Sequence, residues 1–285
     1  MTQPLADGCI LSWSAPDEPI KLAELRAALT HANFSEELAR DLAPRNAFSR
    51  AARELSKERI IKKVEETDDE IRFQFTREFL AGGQYDYERE FDLWLNKETG
   101  TVRCENQHMQ QVAQELVSNH QATRLPADVT RLIQKIFDSA KSDLVPIRQQ
   151  GGCYFVPSSA TNQQIIANIR VLLCDIGGKL NEWEITARSV ETQTTIQQNM
   201  FDYLLGLVDE FNKSCESITD ASATKTLERR LERHAELRAK LMTHAPLLQG
   251  LAAEVSAAID NSLTSLIASA SGGTSLPAPP VQQVA

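Results

Sequence analysis

The chain lacks most of the features that announce a chemistry. Its 285 residues contain no G-x-x-x-x-G-K-[ST] phosphate loop, no H-E-x-x-H zinc helix, no G-x-S-x-G nucleophile elbow and no Rossmann glycine fingerprint. Each absence removes a large class of enzymes. Five cysteines (Cys9, Cys104, Cys153, Cys174 and Cys215) are odd in number, scattered, and form no C-x-x-C pair. That pattern argues against a disulfide framework or a zinc knuckle and for reduced, mostly buried thiols. No apolar run approaches the roughly 20 residues a membrane span requires, and no basic segment leading into an apolar core opens the chain. The expectation is a cytoplasmic protein with no membrane partner and no cofactor or metal.

What is present is an ordinary globular composition, 42% hydrophobic and 24% charged, so a core can be buried. Thirty-nine acidic residues against 30 basic give a net charge of −9, which disfavours non-specific attraction to phosphate backbones. The length favours two modest units over one large core.

Hydrophobic periodicity divides the chain further. Residues 1–20, with Pro4, Pro16 and Pro19, read as an irregular arm. Residues 21–141 read as an α+β domain: helical stripes at Leu22, Leu25 and Leu29 and at Phe34, Leu38 and Leu42, then a period of two from about 60 to 105. Ile71, Phe73 and Phe75 alternate with polar residues. Tyr85, Tyr87, Phe91 and Leu93 alternate with Asp86, Glu88, Glu90 and Asp92, predicting a wet carboxylate face behind an apolar one. Thr67-Asp68-Asp69, Gly82-Gly83-Gln84 and Lys97-Glu98-Thr99-Gly100 supply turns, so the segment predicts an antiparallel meander. Residues 142–192 read as a hairpin, a helix through Ile165, Ile169 and Leu173, and a strand. Residues 193–270 read as a C-terminal helical hairpin, and 271–285 as a disordered tail. The fold class is α+β and mainly helical.

Two surfaces stand out. Between Arg40 and Lys63 there are eight basic residues against three acidic ones, and Arg50, Arg53, Lys57, Lys62 and Lys63 are candidate nucleic-acid contacts. The apolar stripes of the last helices, through Tyr203, Leu207, Phe211, Leu227, Leu231 and Leu241, form a candidate interaction surface. If the two helices fail to cover each other, a second copy completes the bundle. Cys104 and His108, four apart, are the nearest approach to a nucleophilic pair, and no third group orients them.

The run Ile147-Arg148-Gln149-Gln150-Gly151-Gly152-Cys153-Tyr154-Phe155-Val156-Pro157 resembles an uncharacterised family of bacterial and phage proteins that share a G-G-x-Y-F-V-P hairpin followed by long helices. The resemblance covers roughly Leu144 to the end. It implies a prokaryotic or viral setting and carries over no functional residue. The expected function is that of a non-enzymatic interaction or scaffold protein, self-associating or binding another protein. A nucleic-acid-associated role through the basic segment is the alternative.

Overall fold

The computed structural model describes residues 7–57, 59–81, 84–147, 152–186, 190–216 and 224–270. The expected tail, the glycines at 82 and 83, and the apex of the expected hairpin around 149–151 lie outside them. The architecture is α+β and mainly helical, with antiparallel sheets. In chain order the strands and helices begin with β1 (Asp7–Ser14), β2 (Ile20–Lys21), α1 (Leu22–His31) and α2 (Pro44–Leu55). Then come β3 (Ile60–Glu66), β4 (Glu70–Ala81), β5 (Gln84–Asn96), β6 (Val102–Cys104), α3 (Gln107–Ala122), β7 (Thr123–Arg124) and α4 (Pro126–Ser139). The last are β8 (Val145–Pro146), β9 (Tyr154–Pro157), α5 (Ala160–Asp175), β10 (Lys179–Thr186), α6 (Val190–Cys215), α7 (Thr224–Leu248) and α8 (Leu251–Ala270).

These elements form two compact units that interleave along the chain instead of following one another. One unit takes residues up to Ser12, Asp143–Asn162 and Asn181 onward; the other takes Trp13–Ser142 and Gln163–Leu180. The interleaving comes from long-range strand pairing. β1, expected to be irregular, is a strand in a sheet of order β10-β1-β9-β8, with Gly8 opposite Pro157 and Leu11 opposite Tyr154. Glycine is required at position 8: a Cβ there would stand 2.4 Å from the Val156 carbonyl oxygen and 2.7 Å from the Phe155 ring.

In the same unit the C-terminal hairpin expected from the sequence is a set of three helices. α7 runs through Pro246, and the break falls at Gln249 (φ 51°) and Gly250, after which α8 packs on both α6 and α7. Met200, Leu204, Val208 and Phe211 of α6, Leu237 and Leu241 of α7, and Val255, Ile259 and Leu266 of α8 share one core. Val145 and Phe155 of the sheet join it. Beside that core lies a buried charge cluster. The Asp143 carboxylate takes a hydrogen bond from His244 Nε2 (2.5 Å), one from Lys240 Nζ and one from the Tyr203 hydroxyl (3.2 Å). Burial pushes the Asp143 carboxyl up, but the hydrogen bonds from His244 and Lys240 outweigh it and hold it below its ordinary value.

The other unit is built around the meander, whose strand order is β3-β4-β5-β6. Ile71, Phe75, Phe91, Leu93 and Leu95 meet Ala47, Phe48, Ala51 and Ala52 of α2 and Ala113 and Val117 of α3. The small alanines let the two helices lie close over the sheet, and Phe75 stacks on Phe91 at 4.7 Å between centroids. α5 buries Ile165, Ile166, Ile169, Leu172 and Leu173 and ends at Gly177 (φ 75°), where the Gly178 amide returns to the Leu173 carbonyl at 2.7 Å.

Asp143→Ala strands Lys240 and His244 in a buried site, so unfolding titrations should show a loss of roughly 3–5 kcal/mol. Because the folded pKa of Asp143 is lowered, its contribution is present above the ordinary carboxylate value near 4 and disappears as the pH falls through the folded value. Asp143→Asn should therefore flatten the acid limb of the stability profile.

Candidate functional site

β4 and β5 outrun their neighbours. β3 pairs with β4 only between Ile71 and Thr76, and β6 pairs with β5 only between Leu93 and Leu95. From Arg77 to Ala81 and from Gln84 to Glu88 the two strands pair with each other alone among the described residues, forming a ribbon whose edges carry no further described strand. An open edge is a row of unpaired amides and carbonyls able to accept another extended chain.

The ribbon begins at a β-bulge. Phe75 faces Phe91, but the next pair is Thr76 with Arg89, so Glu90 is the extra residue. Directly opposed residues point to one face, and an inserted residue shifts the phase of everything beyond it. The sequence alternation expected Tyr85 and Tyr87 on the core face with Phe91 and Leu93. The bulge instead puts them with Leu80 and Glu78 on the opposite face. Leu80 is 67% exposed, Tyr85 69% and Tyr87 55%, and Phe79 on the other face is also exposed. The Tyr87 hydroxyl donates to Glu78 Oε1 at 2.7 Å, a bond that raises the phenol's pKa.

Asp86, Glu88 and Glu90 are exposed, as expected of a wet carboxylate face, but Asp92 departs from it. Asp92 is fully buried, with bonds from Arg72 Nε at 2.8 Å and from Arg89 Nη2 at 3.0 Å. Glu90 accepts from Arg59 at 2.6 and 2.9 Å, and those bonds hold its carboxyl below the usual range. Arg59 in turn lies over the Phe91 ring at 5.6 Å. The bulge is thus clamped by arginines on both sides, leaving the aromatic end outside.

The basic segment is largely neutralised. Arg50 makes a bidentate pair with Asp128 at 2.6 and 2.7 Å, and Lys63 pairs with Glu66 at 2.8 Å. Glu66 also receives Arg45 and Lys97, and these cations hold it far below the carboxylate range. Arg53, Lys57 and Lys62 are exposed and have no ion pair among the described residues. Of the candidate interaction residues, Phe211 and Leu241 are buried in the chain's own core, and Tyr203, Leu207 and Leu227 are half-buried against it. Only Leu231, 50% exposed, is turned outward. The third helix covers the stripe that the sequence left unpartnered.

Cys104 is half-buried, burial raises its thiol pKa, and its sulfur accepts the Asn106 amide. Burial, with help from Glu182 and Glu184, pushes Cys9 up to about 12. Among the described residues no group of three or more His, Cys, Asp or Glu could hold a metal ion, and no helix is long and apolar enough to cross a membrane.

The molecule is therefore a mainly helical α+β protein whose most distinctive surface is an aromatic ribbon on a curled meander. It belongs to DUF6744, a family of unknown function, whose model matches residues 8–269. No curated protein and no solved structure matches the chain.

Because the ribbon end touches little of the fold, Leu80→Ser and Tyr85→Ser should each change unfolding free energy by about 0.5 kcal/mol or less. Phe91→Ala, just inside the bulge, should cost about 3–5 kcal/mol in the same denaturant titration.

Proposed function

We propose that this chain is a non-enzymatic interaction protein of a bacterial or phage cytoplasm, and that it docks a partner protein through the β4–β5 ribbon. The observation that carries this reading is the exposure of Leu80, Tyr85 and Tyr87 on one face of a ribbon with open edges. Aromatic side chains with an apolar body and a polar tip suit a surface that is alternately wet and covered. The cytoplasmic setting is supported by the five cysteines, all free thiols.

Charge indicates the kind of partner. Along Gln84–Glu90 the strand carries Asp86 and Glu88, which have no ion pair among the described residues, while Arg89 is already bonded to Asp92 and Glu105 and Glu90 to Arg59. A second copy of the same strand would bring like charges together. The fitting occupant is an extended basic segment of a different protein, added as a further strand with its apolar side chains against Tyr85 and Tyr87.

A display library of heptapeptides alternating lysine with β-branched residues, panned against the full chain, tests this reading. Binders should slow amide hydrogen exchange along the ribbon, and the triple variant Leu80→Ser, Tyr85→Ser, Tyr87→Ser should weaken them at least about tenfold. Three results would overturn it: no enrichment, binders indifferent to the triple variant, or light scattering that shows a dimer dissolved by the same substitutions. The nucleic-acid alternative makes a separate demand, salt-dependent retardation of DNA or RNA abolished by Arg53→Glu with Lys57→Glu and Lys62→Glu.

A further inference from the structure

A second feature is a cleft of about 220 Å³ lined by the loop after α1, helix α2, Arg124 and the start of α4. Its polar wall carries Arg40, Arg50, Arg124, Arg131 and Lys135 against Asp41 and Asp128, over a floor that includes Leu25 and Leu132. Both carboxylates are already engaged. Asp128 holds Arg50 bidentately and accepts the Leu125 amide at 3.0 Å, with Arg131 at 3.8 Å, while Asp41 pairs with Arg26 at 3.0 Å. Arg40 and Lys135 have no ion pair among the described residues.

Arg124 is the decisive residue. It is only 6% exposed, yet among the described residues it forms no ion pair, Asp128 and Asp41 acting on it only through space. Its guanidinium is held by backbone carbonyls alone: Nη1 donates to those of Gln121 (3.1 Å) and Thr123 (2.6 Å), and Nη2 to that of Arg40 (2.5 Å). Burial pulls its pKa below the usual arginine value. A buried cation without a counter-ion is costly, and carbonyls orient it without cancelling its charge. Asp128 and Asp41 offset it only from a distance, and Arg40, Arg50, Arg131 and Lys135 stand around the same space, so five cations face two carboxylates.

We infer that this cleft binds a small phosphomonoester, its phosphate dianion facing Arg124, Arg131 and Lys135 and its organic part resting on the leucine floor. Guanidinium groups fixed in direction match phosphate oxygens in pairs, which a mobile surface lysine does not. The volume admits a phosphate with a few carbon atoms and excludes a folded polymer.

Thermal unfolding of the full chain with added glycerol phosphate tests the assignment, with inorganic phosphate as the minimal probe and sodium chloride matched for ionic strength. A ligand held a hundredfold above its Kd should raise Tm by about 5 °C. Arg131→Glu and Lys135→Glu, both at the rim where folding is little affected, should each reduce affinity at least about tenfold by calorimetry. Lys225→Glu, on α7, should leave binding intact. Equal stabilisation by chloride, no response to either phosphate, or affinity untouched by the rim variants would overturn the proposal. Binding seen only when the phosphate is carried on a peptide would overturn the small-ligand assignment.

Discussion

One extra residue in β5 decides where the core of the second unit ends. Inside the bulge, Phe75 and Phe91 stack under α2. At the bulge, Glu90 has no opposite number and turns to Arg59, while Arg89 reaches Asp92 and Glu105. Arg59 over the Phe91 ring and Arg72 over the Trp94 ring lay planar cations on aromatic faces on either side. The ion pairs lock the register, since a slip of one residue would bring Asp92 to the apolar face and break its bonds to two arginines. Beyond this seal the strands have no core to serve, and their large side chains face water.

The same logic of distant partners explains the electrostatics. A window between Arg40 and Lys63 reads as strongly basic, but the carboxylates that answer it come from other elements: Asp128 from α4, Glu66 from the end of β3, Glu90 from the bulge. Glu66 alone collects Arg45, Lys63 and Lys97. A local charge count cannot see these arrivals, because folding brings together residues 21 to 78 positions apart. Of that segment, the cations that folding leaves without an ion pair among the described residues, Arg53, Lys57 and Lys62, keep a functional claim, as does the cleft around Arg124.

How much of the fold was legible follows from where each signal resides. The meander strands and the helices α4 and α5 were legible because alternation at Ile71-Phe73-Phe75 and helical spacing at Ile165-Ile169-Leu173 are local patterns. The first strand was not. Its partner, Tyr154–Pro157, lies roughly 145 residues away, and nothing within Asp7–Ser14 names it. The bulge was hidden for a related reason: a strict alternation through Tyr85, Tyr87, Phe91 and Leu93 continues unbroken in sequence while the opposing strand is one residue short. The third helix of the C-terminal bundle is hard to separate from the second in sequence, because α7 continues through Pro246 and the break falls at the left-handed Gln249 beside Gly250. Of the proposed sites, the ribbon residues carry the alternation of a core face, and the Arg124 cleft leaves no local pattern because its makers are spread from Leu25 to Lys135.

The two core clusters are covered, Asp92 and Asp143 are paired, and turns fall at left-handed Gly100 and Gly177, although Trp183, Leu231, Met242 and Ile267 also stand exposed outside the ribbon. The ribbon and the cleft depart from that consistency in opposite ways. The ribbon leaves apolar area in water, an omission worth about 25 cal/mol for each Å² not covered. The cleft keeps a guanidinium out of water without a counter-ion, a cost of several kcal/mol for an isolated charge. Free energy given up in the isolated chain at two independent places, and recoverable only by contact with something outside it, is the physical signature expected of sites built for partners.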